Sequence, residues 1–477
     1  MPDADAPEFP PPPPLPPGLP PRVGRVVVIG LDCAAPDLVF DRLAPDLPIL
    51  GELARTGVWG RLKSTDPPIT VPAWASMFSG CDPGELGLYG FRNRRDYGYD
   101  SLSLVSSREV TRPRVWDHLG ARGLTSIVLG PPPAYPPPPV KGLMVGCFLT
   151  PDKSRPYTHP AWLASRLDQW AGGEFLLDVE GFRRAPREKV LEGIWALTRS
   201  RFTLARHLAT HQAWDLLLLV DIAPDRLHHA FWQYWDPEHP AYRLGSPWER
   251  ALPEYYAMLD REVGLLLDAL PPDTLVLVVS DHGAQAMQGG LAINQWLLDE
   301  GYLALRDRNY AGPLIPEVVD WPRTRVWGEG GYYARLNLNL AGREPQGRVR
   351  PGEAAGLVAE LRAKLGSLPG PDGAPLGNQI HAPAELYRQV NRIPPDLLLY
   401  PGGLAWRSLG TVGLASCYSQ DNDQGPDGAN HHPEGMFIAS RVGRKLAAPP
   451  GGRELATPLD IRAVFHLILR AVSPRLA

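Results

Sequence analysis

Cysteine is scarce in this sequence. Only Cys33, Cys81, Cys147 and Cys417 occur in 477 residues, and no two form a C-x-x-C pair. That sets aside a disulfide framework and a thiolate zinc site of the usual spacing. A reducing compartment fits, and the expected location is cytoplasmic. Charge of one sign is also lacking. The formal net charge is -4, which gives no reason to expect a nucleic-acid or membrane partner. No apolar run approaches the roughly 18 residues that span a bilayer. The first residues lack the basic and apolar regions of a secretory signal.

Proline is abundant from Met1 to Arg22. A tract of that composition resists helix and sheet, so residues 1–22 are expected to form either a disordered tail or a ligand for a proline-binding module. The rest, 23–477, has enough apolar residue (44% of the chain) for one large α/β catalytic domain. Insertions are expected at about 140–200 and 305–425, the latter rich in Gly and Pro.

Three apolar runs share one form. Val26–Ile29 ends at Gly30-Leu31-Asp32. Leu216–Val220 leads to Asp221 and Asp225. Leu275–Val279 leads to Ser280-Asp281-His282. Continuous apolar strands suit a parallel sheet buried on both faces, and ligand sites in such sheets lie beyond the carboxyl ends of the strands. Helical spacing over Arg199–His211 and Tyr255–Leu270 predicts helices between strands, and Pro458–Val472 reads as a closing amphipathic helix. Pro131–Pro139 must be an ordered loop.

The chemistry-bearing residues cluster in a few strings. Asp281 and His282 are adjacent; in an extended segment they point to opposite sides and serve two neighbouring cations, or else stand as a surface Asp and a core His. Asp225 and His229 are four apart, so on a helix they share a face, as a metal pair or as a surface ion pair. Thr70, in ITVPAWASMFSG, precedes a helix and is either its N-cap or a nucleophile at an anion site. His431 and His432 lie in a turn before Met436-Phe437-Ile438. These are oxygen and nitrogen ligands with no thiolate, a set that suits zinc or manganese.

The order GLD, TVPAW, PDRLHH, SDHG and a late His before PEG resembles the alkaline phosphatase superfamily. Within it the chain is similar to the type I phosphodiesterase/nucleotide pyrophosphatase branch, in the group of bacterial phosphohydrolases and phosphomutases. YPPPPVKGLMVGCFLTP, INQWL and GREP fit the same group. The resemblance implies an alkaline phosphatase-like sandwich with a mainly parallel sheet and capping insertions. It implies two divalent cations, one held by Asp32, Asp281 and His282, the other by Asp225, His229 and His431. Thr70 then bridges to the substrate as the nucleophile and forms a phosphothreonine. His432 falls at a substrate-contacting position. The pyrophosphatases carry Asn-His where this chain has Ala73-Trp74, and an Asn where it has Phe91; Asn93, two residues on, takes that catalytic role. The sulfatase pattern is absent. The expected partner is a small phosphate ester, a nucleotide among them, and the expected reaction its hydrolysis. A phosphomutase or a non-catalytic phosphate-binding homologue are the alternatives.

Overall fold

The computed structural model describes residues 15–16, 23–443 and 452–472. The proline-rich stretch, apart from Leu15 and Pro16, lies outside them. Among the described residues no helix is long and apolar enough to cross a membrane.

The expected apolar runs are the centre of a ten-stranded sheet. Val26–Leu31 lies between Leu216–Asp221 and Leu275–Val279, parallel to both. Ser126–Leu129 and Gly142–Val145 continue the parallel series on one side. On the other side, Glu434–Arg441 runs antiparallel to Leu275–Val279 and carries Val58–Lys63 beyond it. Gly142–Val145, at the start of the insertion expected at about 140–200, is thus a strand of the central sheet.

Strand alternation feeds two cores. Val27, Ile29 and Leu31 face one, which the helices Arg187–His211, Ala223–Trp235 and Ala251–Asp268 close. Val26 and Val28 face the other, closed by the helices Thr70–Ser79, Val115–Ala121 and Ala463–Ala471. The helix expected at Arg199 begins twelve residues earlier, at Arg187, because Val190, Ile194 and Leu197 extend its buried stripe. Pro131–Pro139 is a loop, as expected. It is held in part by the Ala134 N–H on Cys147 Sγ at 3.4 Å.

Residues within 291–412 build a third core. Four antiparallel strands, Val326–Glu329, Ala334–Leu338, Leu397–Tyr400 and Gln379–His381, pack with the helix Ala354–Gly366. This stretch, expected as an insertion around the main core, has a sheet and a core of its own. Leu336, Leu338, Leu397 and Leu399 are buried as in any sheet, but the strands are only three to five residues long and read poorly against the surrounding Gly and Pro.

Candidate active site

The register of the central strands sets the site. Leu31 pairs with Asp221, and Gly30 with Val279, so Asp32 and Asp281 emerge side by side at the carboxyl edge. Gly30 is required there by space: a Cβ would stand 2.6 Å from the Trp74 ring. Asp221 does not join the site. Its carboxylate accepts from Thr198 Oγ1 at 2.6 Å and faces Arg201, a packing role.

The helix Ala223–Trp235 starts just after its strand, so Asp225 lies in the first turn and His229 one turn on. Their near atoms are 3.2 Å apart. His228, the neighbour, points elsewhere and meets the Tyr256 hydroxyl at 3.0 Å. His431 arrives from the strand Ala429–His432, which pairs antiparallel with Gly283–Ala286. Its ring stacks on that of His282 at 3.8 Å between centroids. The structure thus brings together Asp32, Asp281, His282, Asp225, His229, His431 and Thr70, all buried.

Each of the six ligand candidates is tied at one atom, and five of them are bare at the other. Asp32 Oδ2 accepts from Trp74 Nε1 at 2.7 Å, Asp281 Oδ1 from the Cys33 N–H at 3.1 Å, and Asp225 Oδ2 from Arg226 Nη1 at 2.8 Å. The imidazoles follow the same rule. Nδ1 of His282 meets the Gly283 carbonyl at 3.0 Å, and Nδ1 of His431 the Pro68 carbonyl at 2.8 Å. Nδ1 of His229 meets Asp427 Oδ1 at 2.7 Å and the Ala429 carbonyl at 3.1 Å. All those partners only accept, so Nδ1 carries a proton, and in the neutral ring Nε2 presents its lone pair inward. Asp32 Oδ1, Asp225 Oδ1, Asp281 Oδ2, His229 Nε2 and His431 Nε2 are buried without a hydrogen-bond partner. His282 Nε2 has one, Thr70 Oγ1 at 3.3 Å.

Buried polar atoms left bare are costly, and converging bare atoms of this kind fit a cation. Ligand atoms of Asp32, Asp281 and His282 lie within 4.8 Å of one another, as do those of Asp225, His282 and His431. His282 therefore stands between the two groups, where opposite-side geometry had been expected to divide it from Asp281. The electrostatics agree. Burial and the nearby Asp225 push Asp32 well above the usual carboxylate range. Burial and Asp32 do the same to Asp281. Burial lowers His282 to about 4. A cation would offset the two carboxylate penalties, and the low value of His282 keeps its ring neutral, as a ligand must be.

Thr70 is the first residue of its helix and is 2% exposed. The N-cap position belongs to Ile69 and no side chain caps it, so the capping reading of Thr70 does not hold. Two expected residues bond to nearby backbone. His432 faces away from His431 by strand alternation, and its Nδ1 accepts from the Glu434 N–H at 3.1 Å. Asn93 Oδ1 accepts from the Tyr89 N–H at 2.9 Å, while its Nδ2 is buried without a partner. Phe91, not Asn93, lines the open cleft of about 1010 Å³ that reaches Ile69 and Arg226, the neighbours of Thr70 and Asp225.

The sequence of residues 26–427 matches the model of the type I phosphodiesterase/nucleotide pyrophosphatase family. The chain belongs to that family. As a member it is a phosphohydrolase acting on phosphoesters. No curated protein matches it by sequence. Among solved structures it is similar to phosphonoacetate hydrolase from Sinorhizobium meliloti 1021. The structure with phosphonoformate gives a TM-score of 0.59 at 16% identity, and that with phosphonoacetate 0.60 at 15%, each over 94% of this chain and 96% of the other. Human ectonucleotide pyrophosphatase/phosphodiesterase 5 gives 0.53 at 12%, over 93% and 94%. At such identities the likeness is one of fold, an alkaline phosphatase-like α/β architecture.

Within this family member, several residues around the cluster had not been singled out. Trp74 holds Asp32, Arg226 holds Asp225, and Asp427 holds His229. Tyr332 stacks on His431 at 4.0 Å and on His229 at 5.0 Å. Asp427 had one sequence signal, a carboxylate four residues before His431 in a Gly-rich turn. Tyr332 had none.

Proposed function

We propose that this phosphohydrolase cleaves a phosphate monoester or diester, a nucleotide among them, with two divalent cations, zinc or manganese, and through a covalent phosphothreonine at Thr70. One observation carries the reading: six buried side chains are each anchored at one atom and present the other, bare or touching Thr70, to a common centre. Asp32, Asp281 and His282 would hold one cation, and Asp225, His229 and His431 the other. Cations bound there would lower the pKa of the Thr70 hydroxyl and neutralise the phosphoryl oxygens.

The chain's own residues supply the rest. Thr70 sits at a helix start, where Pro72 has no N–H and the N–H groups of Thr70 and Val71 have no intrahelical acceptor. They favour an incoming phosphate anion. Thr70 loses its proton to solvent and Oγ1 bonds to phosphorus, while the bond from phosphorus to the leaving oxygen breaks. Water then attacks the phosphothreonine from the vacated side, restores the hydroxyl and releases the phosphate product.

The test is Thr70→Ala and Thr70→Ser with both cations present, alongside acid-quenched wild type in mass spectrometry. Thr70→Ala is expected to lose roughly 10³-fold or more in kcat, with metal content kept. A phosphate adduct is expected on Thr70 of the wild type. Turnover of Thr70→Ala within a few-fold of wild type, with no adduct, would mean that water attacks directly.

A further inference from the structure

The small sheet within 291–412 has two faces. Leu336, Leu397 and Leu399 turn into its own core. By strand alternation Tyr333, Leu398 and Tyr400 lie on the opposite face, where they cluster with Ile69, the residue before Thr70. Tyr387, just past the short helix Pro383–Leu386, reaches the same place. Its hydroxyl donates to the Asp66 carbonyl at 2.5 Å, and the Tyr400 hydroxyl donates to Asp66 Oδ1 at 3.4 Å. Burial pushes both phenols well above the ordinary tyrosine range, so both stay protonated and can donate.

We propose that this face is a positioning element for the reaction: Tyr387 and Tyr400 hold the turn from Asp66 to Ile69 and through it set where the Thr70 hydroxyl stands. The inference rests on the reading of Thr70 as the nucleophile and adds two positioning residues to it. Pro67 and Pro68 have no N–H, so the turn is held largely by its carbonyls. The Pro67 carbonyl accepts from Thr65 Oγ1 at 2.7 Å and from the Ile69 N–H at 2.9 Å, which makes the turn compact. The Pro68 carbonyl accepts from His431 Nδ1 at 2.8 Å, which ties the turn to the second group of ligand candidates. The Asp66 carbonyl accepts from Tyr387, which ties it to the small sheet.

The ends of the turn show what it carries. Before it, Ser64 Oγ donates to the Asp281 carbonyl at 2.5 Å, so the chain enters from the first group of ligand candidates. After it, the Ile69 carbonyl accepts from the Ala73 N–H at 2.9 Å and closes the first turn of the helix that Thr70 begins. Thr70 Oγ1 then stands 3.3 Å from His282 Nε2. The backbone from Asp66 to Ile69 has no ladder of its own, so a shift at Asp66 passes along a short chain to Thr70. A misplacement of about 1 Å in a reacting group can cost on the order of 10²-fold in rate. The Tyr387 bond is shorter than the Tyr400 bond and takes the larger share.

The test uses the full chain loaded with zinc, turning over p-nitrophenyl phosphate and bis(p-nitrophenyl) phosphate. Tyr387→Phe and Tyr400→Phe keep the rings and remove the donors. Tyr387→Phe is expected to lower kcat about 10-fold, with KM within about 2-fold and zinc content unchanged, and Tyr400→Phe to lower kcat about 3-fold. Tyr302→Phe, which removes a donor to Glu360 from the core of the same small sheet, is expected to leave kcat unchanged. In a Thr70→Ala background Tyr387→Phe is expected to change the residual rate less than about 2-fold, since no hydroxyl is left to place. Should Tyr387→Phe fail to fold, Tyr400→Phe carries the same comparison. Turnover of both Phe variants within about 2-fold of wild type overturns this inference alone. An equal loss with and without the Thr70 hydroxyl also overturns it, because the tyrosines would then act on the site as a whole. Turnover of Thr70→Ala within a few-fold of wild type removes the nucleophile reading and this inference with it. So does a wild type that turns over neither ester.

Discussion

The two halves of the site use the same ligand types but are charged in different ways. Asp32, Asp281 and His282 are anchored by neutral groups: an indole N–H, a backbone N–H and a carbonyl. No guanidinium bonds to either of those carboxylates, and burial pushes both well above their ordinary range. Asp225, His229 and His431 sit in a charged scaffold. Burial alone would raise Asp225, but His229, Arg226 and His431 outweigh it and hold its carboxyl well below the usual range. Burial likewise opposes protonation of His229, and Asp427, Tyr332 and Asp225 outweigh it. Asp427 is itself held at about 2: burial works upward, but His229, Arg183 and Arg407 prevail. With the proposed cations bound, the first half would depend on its cation for charge balance, and the second would carry much of its own.

The largest effect should come from breaking the first half. Asp281→Asn should lose the cation held with Asp32 and His282 and lower turnover by roughly 10³-fold. Elemental analysis and steady-state kinetics check both, and full metal content with full turnover would erase the distinction drawn here. A smaller effect is expected in the second half. Asp427→Asn keeps the shape but removes the charge behind His229, and should weaken one cation roughly 10–100-fold, read by competition with a chromogenic chelator.

Stability of the metal-free protein separates the halves in another way. The folded-state pKa values of Asp32 and Asp281 lie above their unfolded values. Their contribution to stability is then fully present below the ordinary carboxylate range and is lost as pH rises through the raised values. Asp32→Asn, which cannot ionise, should therefore stabilise metal-free protein at neutral pH by on the order of 1–3 kcal/mol, with the gain vanishing in acid. Thermal melts of chelator-treated wild type and variant across pH would show it; a gain independent of pH would contradict the charge argument. The smallest effect is expected for Trp74→Phe, which keeps a ring over Gly30 but removes the Nε1 donor to Asp32. A cost of about 1 kcal/mol in affinity for the first cation follows, a few-fold change in the same chelator titration.

Much of the first half was legible because its parts are local. A β-branched run followed by GLD or SDHG states a buried strand and the carboxylate at its end in a single string. Asp225 and His229 are one helical turn apart and needed only the period of the helix. The small sheet around Leu336 and Leu397 was not legible, since strands of three to five residues among Gly and Pro leave too little pattern for alternation to show. The facing of the tandem histidines was not legible for a related reason. Tandem histidines look equivalent in a string, and only pairing with Gly283–Ala286 fixes the strand on which they face opposite ways.

The sequence by itself determined the strand ends, the helix turn and the set of oxygen and nitrogen donors, because each depends on residues within a few positions of one another. The tertiary structure decided which atom of each donor is free. Trp74 reaches Asp32 across 42 positions, Pro68 reaches His431 across 363, and Asp427 reaches His229 across 198. A carboxylate or an imidazole becomes a ligand when its other polar atom is already occupied, and that partner comes from wherever the folded chain passes closest.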